Sequence, residues 1–164
     1  MSIRKFEIER FNVTSTKSFE TIVTALKARV GRLDLAAFAK ASQSANTFAE
    51  LEAVINRDIG KTGLMLFLDF DHGAVLRKET GLDKPKIMRL VIGNPLIMKE
   101  MVKHVPDAGS YAPVTVLVDE RSDGVHLSYD KMASLLAPYG NSNASAVARD
   151  LDFKVETLLR ESAL

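Results

Sequence analysis

The chain has 164 residues, and its 22 Lys and Arg against 21 Asp and Glu leave a net charge of +1. That length suits one domain with a sizeable core, and 46% apolar with 26% charged residues argues against wholesale disorder. A near-neutral charge gives no broad field for nucleic acid or an anionic membrane, and the absence of cysteine excludes disulfides, thiolate zinc sites, iron–sulfur clusters and cysteine nucleophiles.

The opening residues Ser2-Ile3-Arg4-Lys5-Phe6-Glu7 carry charge where a secretory signal needs an apolar stretch. The longest apolar runs, 64–68 and 114–118, fall far short of the ~20 residues of a membrane-spanning helix. A cytosolic protein with no membrane association is expected. Residues 5–8 and 11–13 alternate polar and apolar, with a phase break at Glu9-Arg10, which predicts one strand with a bulge. Ser18 is placed to N-cap a helix whose stripe is Phe19, Ile22, Val23, Leu26 and Val30, and Gly31 to end it. Two further helices are predicted over 34–59. Asp34 caps the first, with Leu35, Phe38 and Ala39 inward. Thr47-Phe48-Ala49-Glu50 has the form of a capping box ahead of Leu51, Val54, Ile55 and Ile59.

Gly63-Leu64-Met65-Leu66-Phe67-Leu68 is apolar without alternation, which predicts a strand covered on both faces. It runs into Asp69-Phe70-Asp71-His72-Gly73. Residues 86–92 read as the neighbouring strand. Asn94 as N-cap and Pro95 as first helical residue then open a helix through His104, with Ile97, Met98, Met101, Val102 and Val105 inward. Residues 114–119 and 125–129 form a hairpin about Arg121-Ser122-Asp123-Gly124, with Val125, Leu127 and Tyr129 inward. Asp130 can cap a short helix holding Met132, Leu135 and Leu136. A last helix over 144–162 carries Val147, Leu151, Val155 and Leu158 on one face. Hairpins mixed with helices read α+β rather than regular βαβ units.

Asp69 and Asp71, two apart on an extended chain, share a face. Two carboxylates can hold Mg²⁺, with His72 as a base or nitrogen ligand; a plain polar turn after a strand explains the same residues. The Asp-x-Asp pattern is similar to the nucleophile motif of haloacid-dehalogenase-type phosphatases. Gly73 stands where those carry Thr or Val, and no acidic metal motif follows downstream. Gly93-Asn94-Pro95 offers a helix N-terminus to an anion, although capping alone accounts for it. Gly60-Lys61-Thr62 lacks the first glycine of a phosphate loop, since Ile55 stands there. His72, His104 and His126 show no ligand spacing, and no nucleophile-elbow glycine pattern surrounds Ser110 or Ser128. Met88, Met98, Met101 and Met132 read as core filler.

The strand–turn–helix Arg89-Leu90-Val91-Ile92-Gly93-Asn94-Pro95, the proline-led strand Pro113-Val114-Thr115-Val116-Leu117-Val118, and the strand end Ser128-Tyr129-Asp130 together resemble the domain-of-unknown-function family 302. The resemblance is best over residues 60–135. It implies a small two-layer α+β fold, a mixed and mainly antiparallel sheet backed by helices, with a tendency to dimerise. It implies no catalytic residues. Residues 34–59 look like a helical insertion into that form and the last helix like an extension, within one domain over 1–164.

The function expected is a small, non-enzymatic, homodimeric ligand-binding domain. Its polar pocket would lie where the end of strand 64–70 meets the Asn94 helix start, lined by Asp71, His72, Asn94 and Tyr129, for a small polar or anionic ligand. The alternative is a metal-assisted enzyme acting on a small anionic substrate through Asp69, Asp71 and His72. A structural or partner-binding module is the third reading. The sequence leaves any cofactor unknown.

Overall fold

The computed structural model describes residues 3–164. In chain order the elements are β1 (Arg10–Ser15), α1 (Phe19–Arg29), β2 (Gly31–Arg32), α2 (Leu35–Ser44), α3 (Phe48–Asp58), β3 (Met65–Asp71), α4 (Gly73–Thr80), β4 (Ile87–Gly93), α5 (Pro95–Val102), β5 (Val114–Arg121), β6 (Gly124–Asp130), α6 (Met132–Leu136) and α7 (Ser142–Ala163). The strands form one open sheet in the order β1-β6-β5-β4-β3-β2. Every pairing is antiparallel except the two-residue β2–β3 contact. The fold is α+β, as the pattern predicts, and its mixed, mainly antiparallel sheet backed by helices is the form that the family resemblance implies.

Strand alternation builds the core. Leu90 and Ile92 of β4, Val114, Val116 and Val118 of β5, and Val125, Leu127 and Tyr129 of β6 are buried on one face. Onto it pack Phe19, Ile22 and Leu26 of α1 and Ala148, Leu151, Val155 and Leu159 of α7. Each large aliphatic side chain so buried contributes roughly 1.5–3 kcal/mol. The alternate residues Arg89, Val91, Thr115, Leu117, His126 and Ser128 belong to the opposite face. Met65 and Ile55 are buried outside the main cluster.

Several expectations change. Residues 5–8 carry no regular structure, and the first strand starts at Arg10. Gly31 is not a helix cap: α1 ends on an extended Val30, and Gly31 opens β2. A Cβ on Gly31 would lie 1.8 Å from the Asp58 carbonyl oxygen. The glycine is needed because two backbones cross there, with the N–H groups of Gly31 and Gly60 both donating to the Leu64 carbonyl at 2.8 and 2.9 Å. Helix α2 buries none of Leu35, Phe38 or Ala39, because it packs at the margin, against α3. Half of the capping box of α3 forms: Glu50 N–H donates to Thr47 Oγ1, while the Glu50 carboxylate accepts from Asn46 N–H, one residue before the cap.

The apolar run of β3 has a different cause from the one expected. The register slips between Leu66 and Leu68, so Phe67 sits in a bulge. Leu66 then pairs with buried Ile92, while Leu68 pairs with Val91 on the other face. One extra residue inverts the alternation; double coverage is not required. Leu68 and Phe70 are each 43% exposed in the single chain. The β5–β6 turn is tight, with only Ser122 and Asp123 between paired Arg121 and Gly124. Gly124 takes φ 137°, and a Cβ there would meet the Ser15 carbonyl oxygen at 2.6 Å.

Candidate functional site

Strand direction separates the residues expected to converge. Within the β3–β4 pair, Asp71 lies opposite Met88 and Met65 opposite Gly93. Asp71 and His72 therefore stand beside the start of β4, whereas Asn94 follows its end. Six residue steps along the strand separate Met88 from Asn94, or ~20 Å. The structure does not bring Asp71, His72 and Asn94 to one sheet edge.

Asp69 and Asp71 do share the helix-covered face, in register with Leu90 and Met88. Each has its own cation. Asp69 is ion-paired with Lys27 of α1. Asp71 Oδ2 accepts from Arg77 Nη2 at 2.7 Å, and its Oδ1 accepts the Ala74 N–H at 3.0 Å. The Arg77 guanidinium holds the Asp71 carboxyl below the usual carboxylate range. Among the described residues no group of three acidic or histidine side chains is placed to hold a metal ion. His72 is exposed, with its ring stacked on Phe70 at 6.1 Å and 6° between planes.

Asn94 caps α5 as its sequence context demands. Its Oδ1 accepts the Leu96 N–H at 2.8 Å and its Nδ2 donates to the Gly63 carbonyl at 2.9 Å. The side chain thus staples the turn before β3 to the helix after β4, and both ends of the amide are occupied.

Tyr129 is a core residue. Its hydroxyl donates to Asp152 Oδ1 at 2.7 Å. Asp152, on the inward face of α7, also accepts the N–H groups of Met132 at 2.8 Å and Ala133 at 3.1 Å. These are orphan donors of the first turn of α6. The cap expected from Asp130 comes instead from another helix. Burial raises the pKa of both Tyr129 and Asp152. One signal for this was readable: an acid in phase with Ala148, Leu151 and Val155.

What opens beside Asn94 is apolar. A cavity of about 160 Å³ lies at the start of α5. Phe67 of the β3 bulge, Ile97, Met98 and Met101 of α5, Pro113 and Leu151 bound it, and no charged side chain lines it. Gly93 matters for its shape: a Cβ there would stand 3.2 Å from Pro113 Cβ and 3.5 Å from a Phe67 ring carbon. With the Asn94 amide already bonded, the wall presents hydrocarbon and thioether. A volume of ~150 Å³ is enough for one aromatic ring. The two methionines were readable only as core filler, because inward spacing is the same for a filled core and for a cavity wall.

Residues 38–161 match the family described as "Domain of unknown function DUF302". The match takes in all of α3 and extends beyond the 60–135 segment that carries the sequence motifs. A crystal structure of an uncharacterized conserved protein DUF302 from Bacillus stearothermophilus has the same fold, with a TM-score of 0.65 at 13% identity, covering 94% of this chain and 98% of that one. No curated protein matches this chain. On a family match that spans α3 to α7, over a sheet and helix order shared with that structure, the chain belongs to the DUF302 family.

Proposed function

We propose that the protein is a binding domain for a small molecule carrying a compact apolar group, seated in the cavity between α5, Phe67 and Pro113. The observation that carries this reading is the uncharged lining of a cavity of about 160 Å³. It departs from the polar or anionic ligand expected from sequence, because no charged side chain lines the wall and its one polar side chain, Asn94, already bonds Leu96 and Gly63. The lining offers no acid, base or nucleophile to a bound molecule. The test is a titration with benzene, followed on the ε-methyl groups of Met98 and Met101 by NMR. Saturable shifts confined to the cavity are expected, and Ala112→Leu should abolish them by filling the space. Unshifted methionine methyls at benzene saturation reject the proposal.

A second reading, pairing with another copy of the chain, is favoured by one observation. Leu68 and Phe70 are each 43% exposed on the outer face of β3, in register with Val91 and Arg89 of β4. A two-fold axis through that strip sets it against itself, which makes an apolar strip self-complementary.

A further inference from the structure

We propose that the recess framed by Tyr111, Tyr139 and Asp107 is a receptor for a guanidinium or ammonium group, and that Arg4 of the chain's own N-terminal segment is its resident occupant. The recess lies outside the α5 cavity, and nothing in that proposed function depends on it.

Its floor is held by short turns. Asp107 belongs to the 3-10 turn Pro106–Ser110, and Tyr139 to the 3-10 turn Ala137–Tyr139. Tyr111 N–H donates to the Ala108 carbonyl and Gly140 N–H to the Ala137 carbonyl, each at 3.1 Å. The two tyrosine hydroxyls meet at 3.1 Å. The contact with Tyr111, then burial and Asp107, push the Tyr139 pKa up to about 12. Tyr139 stays neutral, and Asp107 supplies the negative charge.

Arg4 satisfies the chemistry of such a receptor. Its guanidinium carbon lies 4.6 Å from the Tyr139 ring centroid, within cation–π range. Its Nη1 is 3.9 Å from Asp107 Oδ2. Phe6 closes the side, with its ring 6.1 Å from both Tyr111 and Tyr139. About 500 Å³ of shallow, solvent-open space adjoins these residues with Arg4 in place.

The occupant is built to leave. Residues 3–9 have no regular structure, and among the described residues the segment's backbone bonds begin at Glu9, with Ser134 and Lys131. The Arg4 and Asp107 side chains are 56% and 63% exposed, where an ion pair contributes little. A soluble cation therefore competes with a tethered one. The wild-type affinity is reduced by the fraction of time that Arg4 is seated.

The probes are methylguanidinium and tetramethylammonium chloride, with sodium chloride as the ionic-strength control. The sequence has three tyrosines and no tryptophan, so tyrosine emission reports chiefly on the recess. Amide shifts of Tyr111 and Gly140 localise the response. Arg4→Ala should bind the probes at least about fivefold tighter than wild type, as expected when a competing occupant is removed. Adding Tyr139→Leu, or Asp107→Asn if that variant melts early, should remove the gain. Binding no tighter in Arg4→Ala than in wild type overturns the proposal, as does unchanged binding after Asp107→Asn. A response to only one probe keeps the receptor and assigns its cation.

Discussion

Asp71 and Asp152 show how far one residue type is set by its surroundings. Asp71 sits at a strand end under Arg77, and its pKa falls, chiefly through that hydrogen bond. Asp152 lies 3% exposed among core residues, and its pKa rises, chiefly through desolvation. The signs of their pH dependence are opposite. A raised folded-state pKa gives a contribution present in full below the ordinary carboxylate value, ~3.9, and lost as pH climbs through the folded value. A lowered one gives a contribution present above ~3.9 and lost as pH falls. Urea melts across pH 2–7 should therefore show wild type losing stability relative to Asp152→Asn as pH rises, and gaining relative to Asp71→Asn. Parallel curves would contradict both environments. Asp152→Ala strands the Tyr129 hydroxyl and the Ala133 N–H, and weakens the bonding of the Met132 N–H, and should cost about 2–5 kcal/mol at neutral pH. Asn94→Ala should cost ~0.5–2 kcal/mol through the lost cap. Asn94→Asp, which keeps the acceptor for Leu96 but not the donor for Gly63, should fall between in thermal melts.

At the scale of elements, stability is uneven. Helix α7 buries eight residues including Leu151, Val155, Leu158 and Leu159; α2 buries none and α3 only Ile55. Local opening follows buried apolar contact. Native-state amide exchange should find α2 and α3 opening well below the global unfolding free energy, with α7 exchanging only by global unfolding. Equal protection in α2 and α7 would refute this. Ile55→Ala should cost ~2–5 kcal/mol, felt first in that helical pair. What was legible in the sequence divides along the same line. Caps at Ser18, Asp34, Thr47 and Asn94 are local chemistry, and each appears where its residues place it. Strand direction is not local. Helix α4 (Gly73–Thr80) falls where no element is predicted from the sequence. Its eight residues span ~12 Å, against ~23 Å for the seven of β3. Strand β4 then pairs antiparallel with β3, and Asn94 is carried away from Asp71. The bulge at Phe67 and the Asp152 cap are likewise tertiary events, invisible to periodicity along one strand or helix.

For the whole molecule the open question of surface is the outer face of β3. Only the two residues of β2 lie beyond it in the sheet, so an apolar strip runs close to an edge. An antiparallel sheet can leave one face to water, but such faces are usually polar, as the β6 half here is with His126, Ser128 and Asp130. The strip at Leu68 and Phe70 is not. A second copy related by a two-fold axis would cover both residues at once, and an interface above ~1,000 Å² would follow from extending the contact across β4. Sedimentation at micromolar concentration should then give twice 18.0 kDa, and the melting temperature should rise with protein concentration by mass action. Phe70→Glu would place a charge in the contact and return the chain to 18.0 kDa, with a melting temperature independent of concentration. Benzene binding should survive that substitution, because Phe70 pairs with Arg89, several residues along the sheet from the cavity at Gly93. A wild-type chain that sediments at 18.0 kDa and melts at one temperature at every concentration would show the strip to be a solvated sheet face.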